Sequence, residues 1–306
     1  MRAEFNFDAI GSVEFCVSVR ERDDQDVHAN YLIPTDQNVQ DALRDMLSAT
    51  VRQFDALAAD AAEPPFELSE KYAAREALVA DLASDEMSTL RALHEEEGWP
   101  PRSVALREPA DIAYYFAVFR DDRQRKLLGV RRAAQFKGVF KSRLIQLMDD
   151  SLTLVGDHVF KLDNEFDFLI APQHVYILHP ASVEHIAKIE ELVAAKARDR
   201  ALALAGVVKF ADFGRIAEFV LHHKRAARLV VSLGSRPDLG RIRKSKFIAL
   251  AADTDVAIEK GGKKIRPAVG AEIGFLELLD ARRYTLTIKT GPKEAFVASS
   301  RRPLPS

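Results

Sequence analysis

FDFLIAPQHVYIL, residues 166–178, sets Phe166, Phe168 and Ile170 two apart, then Pro172, then the run Val175–Leu178. Alternation, a proline turn and a second run of branched and aromatic residues read as a hairpin. Strands this close in sequence pair at little loop-closure cost. Working outward, Ile112–Phe119 has strand character and is followed by the polar turn Arg120–Arg123 and a returning strand at Leu127–Val130. Val13–Val19 is another strand, with Val13, Phe15, Val17 and Val19 on one face and Glu14, Cys16 and Ser18 on the other. That pattern predicts a half-buried sheet. Ala29–Ile33 adds a further strand.

Between these strands the period changes. Val39, Leu43, Met46, Val51, Phe54 and Leu57 recur at helical spacing and predict a helix over Gln37–Ala59. Pro64 and Pro65 interrupt the pattern, since neither donates a backbone hydrogen bond. A second helix is predicted over Glu70–Glu96, with Val79, Leu82, Met87, Leu90 and Leu93 on its buried stripe and the acidic run Glu95–Glu97 as a solvated end. Gln135–Leu147 is a further helical candidate. After Pro180, Ser182 is placed to cap a helix beginning near Val183, whose packing stripe is Val183, Ile186, Ile189, Val193 and Ala197. Further on come helices at Phe213–His223 and Val269–Leu279, a turn at Gly261-Gly262, and terminal strands Tyr284–Ile288 and Glu294–Ala298. The fold class is therefore α+β. A mixed, sheet-containing N-terminal and middle region (1–180) carries an appended basic α+β domain (181–306).

Charge divides about twenty residues further on. Residues 1–199 hold 23 Lys/Arg against 36 Asp/Glu, whereas residues 200–306 hold 21 against 10, so the formal net charge of -2 hides an acidic part joined to a basic one. The basic side chains crowd two places: Arg236, Arg241, Arg243, Lys244 and Lys246, then Lys260, Lys263, Lys264 and Arg266. Arg offers bidentate phosphate contacts and Lys a flexible point charge, so these nine form the candidate DNA-binding surface. Ser235 and Ser245 add hydroxyls, and Gly261-Gly262 permits close backbone approach.

Other classes are excluded or weak. Cys16 is the one cysteine of the 306 residues, which rules out an intrachain disulfide and a Cys-rich metal site. The first twenty residues carry Glu4, Asp8, Glu14 and Arg20, unlike a signal peptide. Ala201–Val208 and Phe247–Ala252 fall far short of the roughly 20 apolar residues of a membrane span. The single cysteine points to a reducing setting. Asp163, Glu165 and Asp167 share one side of an extended segment and invite a metal-dependent nuclease reading, but no acid-x-Lys pair accompanies them. His222 and His223 are adjacent, and neighbouring helical side chains diverge too widely for a joint zinc site. Phe210, Phe213 and Phe219 have core spacing. No Walker pattern accompanies the glycine pair. No catalytic residue, metal ligand or cofactor is assigned.

The segments AYYFAVF (113–119), KLLGVRR (126–132), KSRLIQLMDD (141–150), FKLDNEFDFLI (160–170) and HVYILHPASVEHI (174–186) resemble, in order and spacing, the DUF4868 family. That family includes the KwaB proteins of Kiwa antiphage defence. The resemblance implies a cytoplasmic, DNA-engaging component of a bacterial antiviral complex, and the absence of a catalytic signature reads it as noncatalytic. Such a component self-associates as a homodimer or higher oligomer, and a membrane-spanning partner recruits it to the inner face of the cell membrane. A protein-only assembly role is the further alternative. Where the pattern often has Phe-Glu, this chain has Val183-Glu184.

Overall fold

In the computed structural model, the described residues are 1–20, 28–59, 65–68, 70, 72–101, 112–133, 145–148, 151–154, 162–234, 236–286 and 294–298. The chain divides into two compact units: Met1–Pro65 with Ala73–Ala187, and Phe66–Tyr72 with Lys188–Ser306.

The first unit is built on strands β1 (Ile10–Arg20), β2 (His28–Ile33), β3 (Leu78–Asp81), β4 (Ile112–Asp121), β5 (Lys126–Arg132), β8 (Phe168–Ile170) and β9 (His174–Ile177). They form one antiparallel sheet in the order β2-β1-β4-β5-β8-β9-β3. Both predicted hairpins are present. Phe116 pairs with Val130 across β4 and β5, and Phe168 pairs with Ile177 across β8 and β9. Two further strands, β6 (Ile145–Met148) and β7 (Ser151–Leu154), pair with each other, so the end of the helical candidate at 135–147 is extended; its remainder lies outside the described residues.

Helix α1 (Gln37–Ala59) starts where the Asp36 side chain accepts the Val39 backbone N–H at 2.9 Å, relieving one orphan donor of the first turn. Its buried residues Leu43, Met46, Leu47, Val51 and Phe54 join Val13, Phe15, Val17, Tyr115, Ala117 and Phe119 in one core. Each such side chain contributes about 1.5–3 kcal/mol of burial. The expectation of a half-buried β1 is corrected: Cys16 and Ser18 are as inaccessible as Val17. Flanked by β2 and β4, β1 is an interior strand whose second face continues through Phe116, Val130 and Phe168, with the Trp99 ring edge-on to Phe116 at 5.2 Å.

The helix predicted over Glu70–Glu96 is also corrected. Leu78–Asp81 extends to pair with β9, a 3-10 turn follows at Asp85–Met87, and among the described residues of this span only α2 (Ser88–Glu95) is α-helical. Leu82, Met87, Leu90 and Leu93 are buried as the stripe required, but strand pairing outcompeted helical propensity at Leu78–Asp81. Glu97 is not simply solvated; it meets Arg120 at 2.5 Å and Lys126 at 3.3 Å. Pro180 begins α3 (Pro180–Ile186) instead of preceding it, and Ser182 makes no cap because it lies inside. Proline suits that first helical position, where its missing N–H is no loss.

The second unit begins at Lys188, whose left-handed backbone (φ 52°) precedes α4 (Ile189–Val207) and ends the single stripe expected there. It contains α5 (Gly214–Phe219), α6 (Lys224–Gly234), α7 (Lys244–Asp253), hairpin β10 (Ile258–Gly261)–β11 (Lys264–Pro267), α8 (Glu272–Leu279) and hairpin β12 (Arg283–Leu286)–β13 (Glu294–Val297). Rings hold its core: Phe213 meets Phe275 at 6.4 Å, Phe275 meets Phe247 at 5.0 Å, and Phe247 meets Phe210 at 5.5 Å. Glu70, from the short segment that joins this unit, accepts a 2.8 Å hydrogen bond from buried Arg282, whose Nε also donates to Asp280. No helix among the described residues is long and apolar enough to cross a membrane.

Candidate nucleic-acid interface

The two basic clusters, far apart in sequence, meet in the second unit. Nζ of Lys244, at the first position of α7, donates to the Lys263 carbonyl at 2.7 Å, fastening the helix start to the turn of the β10–β11 hairpin. That turn has two residues between paired Gly261 and Lys264. Its first, Gly262, has φ +62° with open space where a side chain would stand. Positive φ at the first loop position suits the right-handed twist of a hairpin and favours glycine. The hairpin is also anchored along the outer edge of β11, where the Ile265 N–H donates to the Phe210 carbonyl and the Asp212 N–H to the Ile265 carbonyl, both at 2.8 Å.

Exposed on this joined surface are Arg241, Arg243 and Lys246 around the start of α7, and Lys260, Lys263 and Lys264 on the hairpin. Among the described residues none of these six forms an ion pair, so their charge is available to an external anion. Lys209, exposed and next to the residue that anchors the hairpin, adds a seventh cation. Sequence reading missed it because it stands alone in an otherwise apolar stretch.

Two members of the predicted set sit differently. The Arg236 side chain is only 10% exposed and is held by the Asp238 carboxylate, the Leu279 carbonyl at 3.0 Å and Asp280 at 3.5 Å. Burial opposes its charge, but Asp238 and Asp280 more than restore it and raise its pKa above the ordinary guanidinium value. Arg266 pairs across the hairpin with Glu259 at 2.7 Å, and Arg215 approaches the same carboxylate at 3.5 Å. The Arg266 hydrogen bond holds the Glu259 carboxyl below its usual range. These two arginines brace the segments that carry the exposed cations. Ser235 lies outside the described residues, and Ser245 is exposed on α7.

The acidic candidates in the first unit converge, but on a guanidinium. Arg131 donates to Asp167 at 2.7 Å and to Asp163 at 3.3 Å, while the Arg132 N–H donates to the second Asp167 oxygen at 2.8 Å. Glu165 is taken by Arg75 and by His179 at 3.2 Å. Carboxylates arranged around arginine are already neutralised where a divalent cation would need them. No group of metal-ligating side chains occurs among the described residues. His223 stacks on Phe219 with ring centroids 4.8 Å apart, and His174 meets Glu4 at 2.8 Å; His158 lies outside the described residues.

Elsewhere in the first unit, a cleft of about 520 Å³ is bordered by Asp81, Arg91, His94 and His174. Two of its polar side chains are engaged internally. Arg91 donates to the Ala83 carbonyl at 2.8 Å, and His94 contacts the Lys126 carbonyl at 3.3 Å. The Cys16 thiol, fully enclosed, is pushed up to about 12 by burial and by nearby Glu14 and Glu96, which leaves it unreactive at neutral pH.

The family described as Kiwa protein KwaB-like matches residues 111–288, more than half of the chain, and its span contains the β4–β5 and β8–β9 hairpins and the whole joined basic surface. No curated protein and no solved structure matches the chain.

Proposed function

The chain belongs to the Kiwa protein KwaB-like family, and on that premise we propose that it is the DNA-binding, noncatalytic component of a Kiwa antiphage-defence complex. Membership carries the link to antiviral defence. The observation that supports DNA as ligand is the union of two basic clusters through the Lys244–Lys263 hydrogen bond, with six exposed cations, free of ion pairs among the described residues, on one helix start and one hairpin. Phosphates are the polyanion such a surface meets, and each neutralised phosphate releases counterions. The acidic composition of the chain before residue 200 repels the same polyanion and leaves that region for protein contacts. Those contacts are with a membrane-spanning partner, which recruits the protein to the inner membrane face, and with a second copy in a homo-oligomer.

Binding to a short duplex, followed across a salt series, tests the reading. Six phosphate contacts imply that log affinity falls with log salt at a slope of roughly −5. Replacing Arg241, Arg243 and Lys246 together with Gln is expected to lower the slope's magnitude by about three units, one for each phosphate that no longer meets a cation. No binding at low salt, with stable binding to an acidic protein, would leave the protein-only assembly role in its place. Divalent-dependent cleavage lost on replacing Asp163 and Asp167 would instead establish the nuclease reading, against which Arg131 already stands.

A further inference from the structure

We infer that the surface formed by α7 and the β10–β11 hairpin binds B-form duplex, with the outward face of α7 in the major groove and the Gly261–Lys264 turn against the neighbouring backbone. The inference rests on the DNA-binding reading above and adds to it the form of the nucleic acid and the mode of docking.

Three features of the second unit carry it. First, α7 is anchored by one side only. Phe247 and Ala251, four residues apart, are buried, whereas Ser245, Lys246, Ala249, Ala252 and Asp253 are exposed. The outward stripe Ser245–Ala249–Ala252 has small side chains, so the helix backbone can approach base edges. A helix with its side chains, about 10–12 Å across, fits a major groove about 12 Å wide. Second, charge is distributed as such docking requires. Arg241, Arg243, Lys244 and Lys246 surround the helix start, where they reach the phosphates lining the groove, and the acidic Asp253 stands at the far end. Third, the hairpin turn is fastened to the helix start by Lys244, and three cations flank two glycines whose backbone is open to close approach.

Single strands are a poorer fit because they are bound by stacking bases on exposed aromatic rings between basic residues. Here Phe247, the ring beside Lys246, faces inward, and Phe210, beside Lys209, is half-buried. Phe247 is 3% exposed, and Phe210 lies against it. Duplex RNA is a poorer fit for a different reason: its major groove is deep and too narrow for a helix.

The test compares, at one salt concentration, a 20-base-pair DNA duplex, its single strand and the matching RNA duplex, together with protection of guanine N7 from methylation in the DNA complex. The expected result is at least tenfold tighter binding to duplex DNA than to either alternative, with N7 protected. Ala249→Glu, which places an acid on the exposed face of α7, is expected to cost tenfold or more in duplex affinity and to abolish protection while leaving the unfolding temperature unchanged. Equal affinity for duplex and single strand, or a duplex complex with every N7 reactive, overturns the groove docking while the DNA-binding reading stands. No binding to any of the three probes overturns that reading itself.

Discussion

Gly129 on β5 and Phe166 before β8 share one space: a Cβ at position 129 would lie 2.6 Å from the Phe166 ring. The ring is fixed from other directions as well. It lies edge-on to Phe119 at 6.0 Å, and the Phe166 backbone N–H donates to Thr50 Oγ1 of α1 at 2.9 Å. Glycine is therefore required here by packing, in ordinary strand conformation, and not by a turn.

Gly129→Ala is expected to lower stability by about 1–3 kcal/mol, the usual cost of an added carbon in a filled core. Adding Phe166→Leu should recover part of that loss, since a smaller side chain vacates the contact. Urea unfolding of both variants decides it, and a Gly129→Ala protein as stable as its parent would show that the ring has room to move.

Arg131 joins Asp163 to Asp167, and the Asp167 side chain is 5% exposed. Arg131→Met leaves that carboxylate buried without its counter-ion, a change that typically costs about 3–5 kcal/mol. The same residue separates the two accounts of these acids. With the guanidinium in place, millimolar Mg²⁺ or Mn²⁺ should leave the unfolding temperature of the parent protein where it was. A rise of several degrees would mean that the acids bind metal in preference to arginine.

Asp121 closes the β4–β5 turn and is fully buried. Its carboxylate accepts hydrogen bonds from the Arg123 and Arg125 N–H groups at 2.9 Å, from Arg125 Nε at 2.7 Å and from the Asn6 N–H at 3.1 Å. Burial opposes ionisation, but these donors outweigh it, and the carboxyl titrates below its ordinary 3.8. A depressed folded pKa means the unfolded chain takes up its proton first on acidification. The contribution is therefore intact above pH 3.8 and is lost as pH falls through the lower folded value. Asp121→Asn should be less stable at pH 7, and its stability should fall less steeply than the parent's below about pH 4. Parallel pH profiles for the two proteins would refute the assignment.

Local pattern made much of this fold legible. Alternation marked β1 and β8, runs of aromatic and branched residues marked β4 and β9, and the 3.6-residue stripe of α1 matched its helix from Gln37 to Ala59. Failures came where distant partners decided the outcome. Leu78–Asp81 looked helical but is a sheet edge because Ile177 lies opposite Leu78. Glu70 looked like a helix start, yet it meets Arg282, 212 residues later. In the candidate site, the cations were visible as composition. Their convergence was not, because the Lys244–Lys263 link is made by a backbone carbonyl, which leaves no trace in residue type. Nor could charge counting show that Arg236 and Arg266 face acids while Arg243 and Lys246 face outward.

Arg236 and Arg243 are seven residues apart in one basic run, and the structure assigns them opposite behaviour. Arg236 is held by Asp238, Asp280 and the Leu279 carbonyl, whereas Arg243 is exposed just before α7. Arg236→Gln removes hydrogen bonds to charged acceptors and is expected to cost about 1–3 kcal/mol of stability. Because its charge is already compensated, the salt slope of DNA binding should stay at the parent value. Arg243→Gln should do the reverse, leaving thermal unfolding unchanged while the slope falls in magnitude by about one unit. Binding curves over several salt concentrations, paired with unfolding of the same two variants, separate bracing from phosphate contact. A folded Arg236→Gln protein that loses a full unit of slope would mean that its ion pairs open on binding and that Arg236 turns to the phosphate.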